Sequence, residues 1–225
     1  MPEISKTADQ ALVLLLSMAE AGPGTAAGLA ERLGMHRTVV HRLLATLEGR
    51  GFVRRQGGSY ALGLVLRHLA EQVENDLLTA ARPVMIELSA ATGETVTLHV
   101  REGDEIVVAD RVQGSRHPVR VDYQPGDRNP LSVGAAGRAV LAHLAVEAPE
   151  PLAERLEEIR RKGHDYSHDE LKAGVSGIAV PVFSRTGVVA SLSLVVPTSR
   201  DEGLAAHVPE LVEAAGAVTA RLAAM

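Results

Sequence analysis

The chain has 225 residues, 46% of them hydrophobic, and a formal charge of -5, enough for two modest cores and too acidic for bulk binding of nucleic acid. Zero cysteines exclude disulfides, thiol catalysis and cysteine-ligated metal centres, and no apolar run reaches the ~18 residues of a membrane span. Two Phe, three Tyr and no Trp leave little for base stacking, which argues against single-stranded or RNA-loop recognition.

Lys6 and the apolar run after it look superficially like a secretory leader. Glu3 and Asp9 make that start acidic as well as basic, and Leu12, Leu15, Leu16 and Ala19 share one helical face. The pattern predicts a first helix packed through that face behind a DNA-reading unit, in a cytoplasmic protein. Thr25 suits an N-cap and Gly34 a stop, so a short helix and a turn follow. Val40, Leu43, Leu44 and Leu47 then repeat at helical spacing, while Arg37, Thr38, His41 and Arg42 populate the rest of that helix with hydrogen-bond donors. Phe52–Gln56 and Ser59–Leu62 are short strand-like runs joined by Gly57-Gly58, a hairpin signal. Helix, turn, basic helix and hairpin make a winged helix-turn-helix, whose second helix enters the major groove.

Charge is distributed accordingly. Residues 1–75 hold eight Lys and Arg against seven Asp and Glu, and the remainder holds fifteen against twenty-one. Between His36 and Arg55 five arginines face one acid, Glu48. The plain alternative is a solvated basic helix in some other small domain.

Leu64–Glu74 reads as a linking helix, giving a division into 1–62, 63–76 and 77–225. Leu77–Ala91 is helical, provided that Pro83 lies in a first turn or kinks the helix, and Gly93 closes it. Three β-rich runs follow, Thr95–Val100, Ile106–Arg111 and Val119–Tyr123. Ala135–Leu144 and Leu152–Lys162 read as helices, Val175–Phe183 and Val188–Val196 as a hairpin, and Leu204–Ala224 as a last helix. The expected class is α+β, with an effector or sensor domain on a largely antiparallel sheet.

HDYSHDE is the sharpest sign of different chemistry. His164 and His168 stand four apart beside Asp165 and Asp169, a spacing that would fit a metal site on a helix and hence a metal-dependent hydrolase with a DNA-binding appendage. Gly163 precedes the cluster, no apolar stripe runs through it, and the HExxH arrangement is absent, which favours a polar loop leading into a turn at Asp169–Lys172. A nucleophile elbow, a P-loop and a dinucleotide fingerprint are also missing. No catalytic residue, metal or cofactor is expected.

Two long segments resemble the IclR-type bacterial transcription regulators. PGDRNPLSVGAAGRAVLAHL (Pro125 to Leu144) is similar to the first effector-domain signature of that family. GHDYSHDELKAGVSGIAVPVFSRTGVVASLSL (Gly163 to Leu194) is similar to the second, with Glu170-Leu171, Gly174, Ala179, Pro181-Val182-Phe183 and Gly187 in register. The resemblance covers nearly the whole chain. It implies a repressor or activator whose GAF-like C-terminal domain binds a small molecule, and a homodimer or dimer of dimers on a two-fold double-stranded operator, with no membrane partner. The DNA-binding set it implies is Lys6, His36, Arg37, Thr38, His41, Arg42, Arg54, Arg55 and Gln56. His36 stands where the family commonly carries Ser, and Val39 where it carries Thr, so the reading helix is expected to be capped differently.

The same resemblance implies an effector set of Val121, Asn129, Leu131, Ala135, Ala136, Ser167, Gly177 and Ser193. Free backbone N–H groups at a helix start near Ala135-Ala136 would receive an acid group, with hydroxyls from Ser167 and Ser193 and an apolar body resting on Val121. Ser167 replaces an Asp, and Gly177 a Cys, found in some members. The small residues could equally serve close helix–sheet packing. A third possibility is a scaffold whose second domain only oligomerises.

Overall fold

The computed structural model describes residues 4–71, 76–146 and 150–225, and the chain divides into two compact units, Met1–Glu74 and Asn75–Met225. Among the described residues no helix is long and apolar enough to cross a membrane.

The first unit contains helices α1 (Lys6–Ala21), α2 (Ala26–Arg32) and α3 (Arg37–Gly49), a hairpin of β1 (Val53–Gln56) and β2 (Ser59–Leu62), and helix α4 (Val65–Glu71). Local chemistry sets the boundaries. Thr25 Oγ1 accepts the Gly28 N–H at 3.1 Å and caps α2, while Gly34 at φ +61° turns the chain toward α3. Gly57 and Gly58 both take positive φ, as a two-residue hairpin turn requires. Leu14 and Met18 of α1, Leu29 of α2, the four stripe residues of α3, Val53 and Tyr60 form the core. Fully burying one such leucine contributes about 1.5–3 kcal/mol.

The expected inward face of α1 is corrected. Leu12 and Leu16 are 60% and 63% exposed, and the buried residues are Leu14, Ser17 and Met18. This helix is apolar on two sides, so its spacing names two stripes without saying which one faces the core. The end of the proposed linking helix, residues 72–74, lies outside the described residues.

The second unit runs α5 (Asp76–Thr92), β3 (Thr95–Glu102), β4 (Glu105–Val112), β5 (Arg128–Pro130), α6 (Gly134–Leu141), α7 (Ala153–Lys162), β6 (Asp165–His168), β7 (Val175–Ser184), β8 (Gly187–Pro197), a 3₁₀ segment (Thr198–His207) and α8 (Val208–Ala223). Its six strands form one antiparallel sheet in the order β5-β4-β3-β8-β7-β6. Helices α5 and α8 cover one face over an aliphatic core, and α6 lies on the other face with α7 beside it.

Three expectations change here. Val119–Tyr123 is not a strand. Val121 and Tyr123 do point inward and Arg120 and Asp122 outward, but Arg128–Pro130 occupies the edge of β4, and the Tyr123 carbonyl accepts instead from the Arg111 side chain at 2.8 Å. The His164–His168 stretch ends in an edge strand, β6, rather than forming a loop. The last helix begins at Val208, where Pro209 occupies its first turn, and the preceding residues form the 3₁₀ segment. Pro83 sits in the interior of α5, on its exposed side, where water can satisfy the carbonyl it leaves unpaired.

Candidate functional site

The exposed basic surface of the first unit is built by α3. His36 caps the helix in place of a hydroxyl residue, its Nδ1 accepting the Thr38 N–H at 3.3 Å. At about 100° per residue the buried stripe places Thr38, Arg42 and Ala45 directly outward, with Arg37 and His41 on one flank. All five are exposed, and the short Ala45 lets the helix axis approach a groove closely. Thr7 and Gln10 of α1 share one shallow groove with Val39, Arg42 and Thr46, so the helix start that carries Lys6 lies beside this face.

The hairpin divides its cations. Arg55 shares the side of the buried Val53, and its guanidinium lies 3.3 Å from Glu48 and 5.3 Å from the centre of the Tyr60 ring. Arg54 and Gln56 point to the opposite side, exposed. Arg37, Arg42 and Arg54 have no carboxylate partner among the described residues.

In the second unit, a small cavity lies between the start of α6 and the sheet. Its volume is about 20 Å³, room for roughly one water molecule. Ala135 and Ala136 of α6, Ser167 of β6, Gly177 of β7 and Ser193 of β8 line it together with His99, Tyr123, Leu171 and Val195. Of the remaining expected residues, Val121 packs against Tyr123 and Val195 one layer behind the lining. Asn129 pairs with Ile106 on the edge strand, and Leu131 belongs to the core with Ile106 and Val140, so neither lines the cavity.

Gly134 takes φ +81° at the start of α6, and a Cβ there would come within 2.6 Å of Leu171. Two constraints therefore demand glycine at that position. The helix start is already partly occupied by an anion, because Glu170 accepts the Gly134 N–H at 3.1 Å. The following first-turn N–H groups, of Ala135 and Ala136, remain for a ligand. At Gly177 a Cβ would meet Val195 at 3.4 Å and Ser167 Oγ at 3.6 Å, ordinary contact distances, so the absent side chain leaves usable space.

A buried ion cluster anchors this region. Arg138 Nε donates to Asp165 at 2.6 Å and its Nη2 to Glu170 at 2.9 Å, while Arg155 reaches Asp165 at 2.8 Å. Burial of Glu170 favours its neutral form, but the hydrogen bonds and charge of Arg138 outweigh this and hold its pKa below the usual carboxylate value. The loop between β6 and β7 is held at a second point, with Lys172 Nζ 4.5 Å from the Tyr123 ring centre and 3.6 Å from Asp127.

His99 is the main lining residue absent from the expected set. Burial lowers its pKa from 6.5 to about 4, so the imidazole is neutral. A readable signal existed, because Thr95, Thr97 and His99 form one polar phase of a strand pattern and Ser191 and Ser193 another.

The histidine pair is not a metal centre on a helix. His168 Nδ1 lies 2.7 Å from Asp201, which also accepts from Tyr166 at 2.8 Å and Ser176 at 2.9 Å, whereas His164 Nδ1 lies against the Lys162 carbonyl. Among the described residues no group of three His, Cys, Asp or Glu could hold a metal ion.

An exposed basic helix beside a hairpin wing, with a separate sheet domain that carries a small cavity beside a helix start, defines a winged-helix transcription regulator with a sensing domain. The chain belongs to the IclR family of bacterial transcriptional regulators. Residues 7–57 match the IclR helix-turn-helix domain, and residues 70–150 and 145–220 match the bacterial transcriptional regulator IclR C-terminal family. It is 33% identical to the HTH-type transcriptional regulator KdgR of Escherichia coli, over 86% of this chain and 84% of that one. An IclR transcriptional regulator from Alicyclobacillus acidocaldarius is 28% identical with a TM-score of 0.72, over 97% of this chain and 99% of that one. An IclR homologue from Microbacterium hydrocarbonoxydans, crystallised with 4-hydroxybenzoate, shares the fold with a TM-score of 0.73 at 24% identity, over 96% of this chain and 100% of that one.

Proposed function

We propose that α3, assisted by Lys6 and the Arg54 side of the hairpin, binds double-stranded operator DNA, and that a small organic acid in the α6 cavity modulates that binding. The observation that carries the first half is the uncommitted state of Arg37, Arg42 and Arg54 on an exposed surface. Arg55 serves chiefly to hold the hairpin against α3, given its contacts with Glu48 and Tyr60. The second half rests on five residues from four elements converging on one cavity beside the start of α6. No lysine or arginine lines that cavity, so affinity on the order of micromolar is expected. The role is that of a regulator rather than an enzyme.

Both halves are tested by operator mobility shifts with a panel of organic acids, benzoates first. Arg42→Ala should lower operator affinity by about 1–3 kcal/mol, at one base position if it reads a base and uniformly if it contacts phosphate. Ala136→Leu should fill the space beside the helix start and abolish the response to acid, while DNA binding persists through the other unit. Unchanged affinity in Arg42→Ala sinks the first half, and an unchanged response in Ala136→Leu sinks the second.

We further infer a dimer formed through the first unit. The outward stripe of α1 exposes Leu12, Val13 and Leu16, with Ile4 just before it and Leu64 and Leu69 exposed near α4. Two copies would match a two-fold operator. A monomer by sedimentation at micromolar concentration contradicts this.

A further inference from the structure

The cap of α3 is chemically unlike the cap of α2. Thr25 closes the start of α2 with a hydroxyl oxygen, which keeps its lone pairs throughout the physiological pH range. His36 closes the start of α3 with an imidazole nitrogen, Nδ1, which accepts the Thr38 N–H at 3.3 Å. That bond fixes the tautomer, because an accepting Nδ1 leaves the ring hydrogen on Nε2. A second proton on the ring removes the lone pair and turns Nδ1 into a donor facing another donor. It also places positive charge at the positive end of the helix. Among the described residues the Thr38 N–H has no other acceptor, since the His36 carbonyl takes the Val39 and Val40 N–H groups at 2.9 and 3.2 Å. No carboxylate relieves the protonated ring. The elements packed against α3 carry Asp9 and Glu20 on α1 and Glu31 on α2, and α3 itself carries Glu48 near its far end. None of these lies within ion-pair distance of His36. The other charges on these elements are cationic or titrate to cations: Arg37, His41, Arg42 and Arg50 with α3, Lys6 on α1, Arg32 on α2, and Arg54 and Arg55 on β1.

We propose that His36 is a positioning residue that makes DNA binding sensitive to protons, because it holds the first turn of α3 only while Nδ1 is unprotonated. The proposal rests on the reading of α3 as the DNA-binding helix. His36 acts through Thr38, one of the residues that α3 directs outward. In the free protein the exposed first turn frays at little cost and lets a protonated His36 swing clear. On DNA, contacts of Arg37 and Thr38 pin that turn, so a proton on His36 removes the cap without letting the turn relax. DNA therefore favours the unprotonated form. By linkage, affinity falls as pH falls through the range of about 8 to 5 in which histidine changes charge. Phosphates pull the other way by attracting an imidazolium. Magnitudes decide between the two, because losing a good cap shifts a helix start by roughly two- to thirtyfold, whereas an exposed ion pair is worth about one- to fivefold.

The test uses the full-length protein and a DNA duplex that it selects from a random-sequence pool at pH 8. Affinity for that duplex is measured at pH 8 and pH 5.5, at one ionic strength, for the natural protein, His36→Asn and His36→Ala. Asparagine is a good cap that does not titrate, and alanine is a poor one. The loss of affinity on acidification should be about threefold or more larger in the natural protein than in His36→Asn. His41 is common to all three proteins, so its titration cancels in that comparison. At pH 8 His36→Asn should bind more tightly than His36→Ala, which isolates the cap from the imidazole. In the free natural protein the Thr38 amide resonance should follow the titration of the His36 ring, whose nitrogen shifts should place the hydrogen on Nε2 at pH 8. Equal losses in the natural protein and His36→Asn overturn the proposal, and a smaller loss in the natural protein replaces it with a phosphate contact to the imidazolium. Equal binding of His36→Asn and His36→Ala at pH 8, or a ring hydrogen on Nδ1, overturns it as well. If the natural protein selects no duplex at all, the reading of α3 itself is overturned, whatever the Thr38 amide does.

Discussion

The two faces of the six-stranded sheet differ more than any other pair of regions in the molecule. Toward α5 and α8, strands β3 and β8 present Val96, Leu98, Leu192 and Leu194, packed with Met85, Leu88, Leu211 and Val218. Toward α6, alternate residues of the same strands are Thr97, His99, Ser191 and Ser193, all buried. Both faces exclude water, yet only the first gains the full apolar transfer energy for doing so. The first face therefore holds the domain together, while the second gives up stability to keep hydrogen-bonding atoms in place.

That contrast is open to attack one residue at a time. The largest effect is expected from Leu98→Ala on the aliphatic face, which should destabilise the domain by about 2–5 kcal/mol in chemical denaturation, since it opens a cavity in a packed core. A loss below 1 kcal/mol would show that this face is not what stabilises the sheet.

His99 should make the polar face sensitive to pH. Its folded pKa of about 4 lies below the 6.5 of the unfolded chain, so the unfolded state takes up the proton first as pH falls. Its contribution is complete above pH 6.5 and is lost progressively down to pH 4, by about 3 kcal/mol. Denaturation at pH 7 and pH 4.5 should therefore show a steeper loss in the natural protein than in His99→Gln, which cannot titrate. Parallel losses in the two proteins would mean that His99 is not buried in its neutral form.

The smallest effect has the opposite sign. Thr97→Val removes an unpaired buried hydroxyl and keeps the shape, so it should stabilise the domain by about 1 kcal/mol. Destabilisation would show that the hydroxyl has a partner, such as an ordered water.

The elements of the DNA-reading unit were legible because their signals are local. Thr25, Gly34 and Gly57-Gly58 act on the backbone beside them, and the stripe from Val40 to Leu47 faces the core as its period requires. The inward face of α1 was not legible, because Leu12–Leu16 and Leu14–Met18 are equally apolar and only tertiary packing chooses between them. Likewise Val119–Tyr123 has the alternation of a strand, but a strand also needs a free edge, and which segment pairs with β4 is a long-range matter. Ala135, Ala136, Ser167, Gly177 and Ser193 were found by resemblance, and folding brings them together from four elements. His99 escaped although its polar phase is visible, because alternation reports a second face without saying whether water or α6 covers it.

The two attachments of the β6–β7 loop bear on how sensitively such a protein can respond. Leu171 stands against Gly134, Glu170 accepts the Gly134 N–H and Lys172 lies over Tyr123, beside a cavity of about 20 Å³ that has room for roughly one water molecule. If the proposed acid binds there only when these attachments have parted, its apparent dissociation constant is the intrinsic one divided by the fraction of molecules that are open. If roughly one molecule in a hundred is open, the threshold concentration rises about a hundredfold. Substitutions at Lys172 or Asp127 could thus reset the dose at which transcription changes without altering an atom that touches the signal.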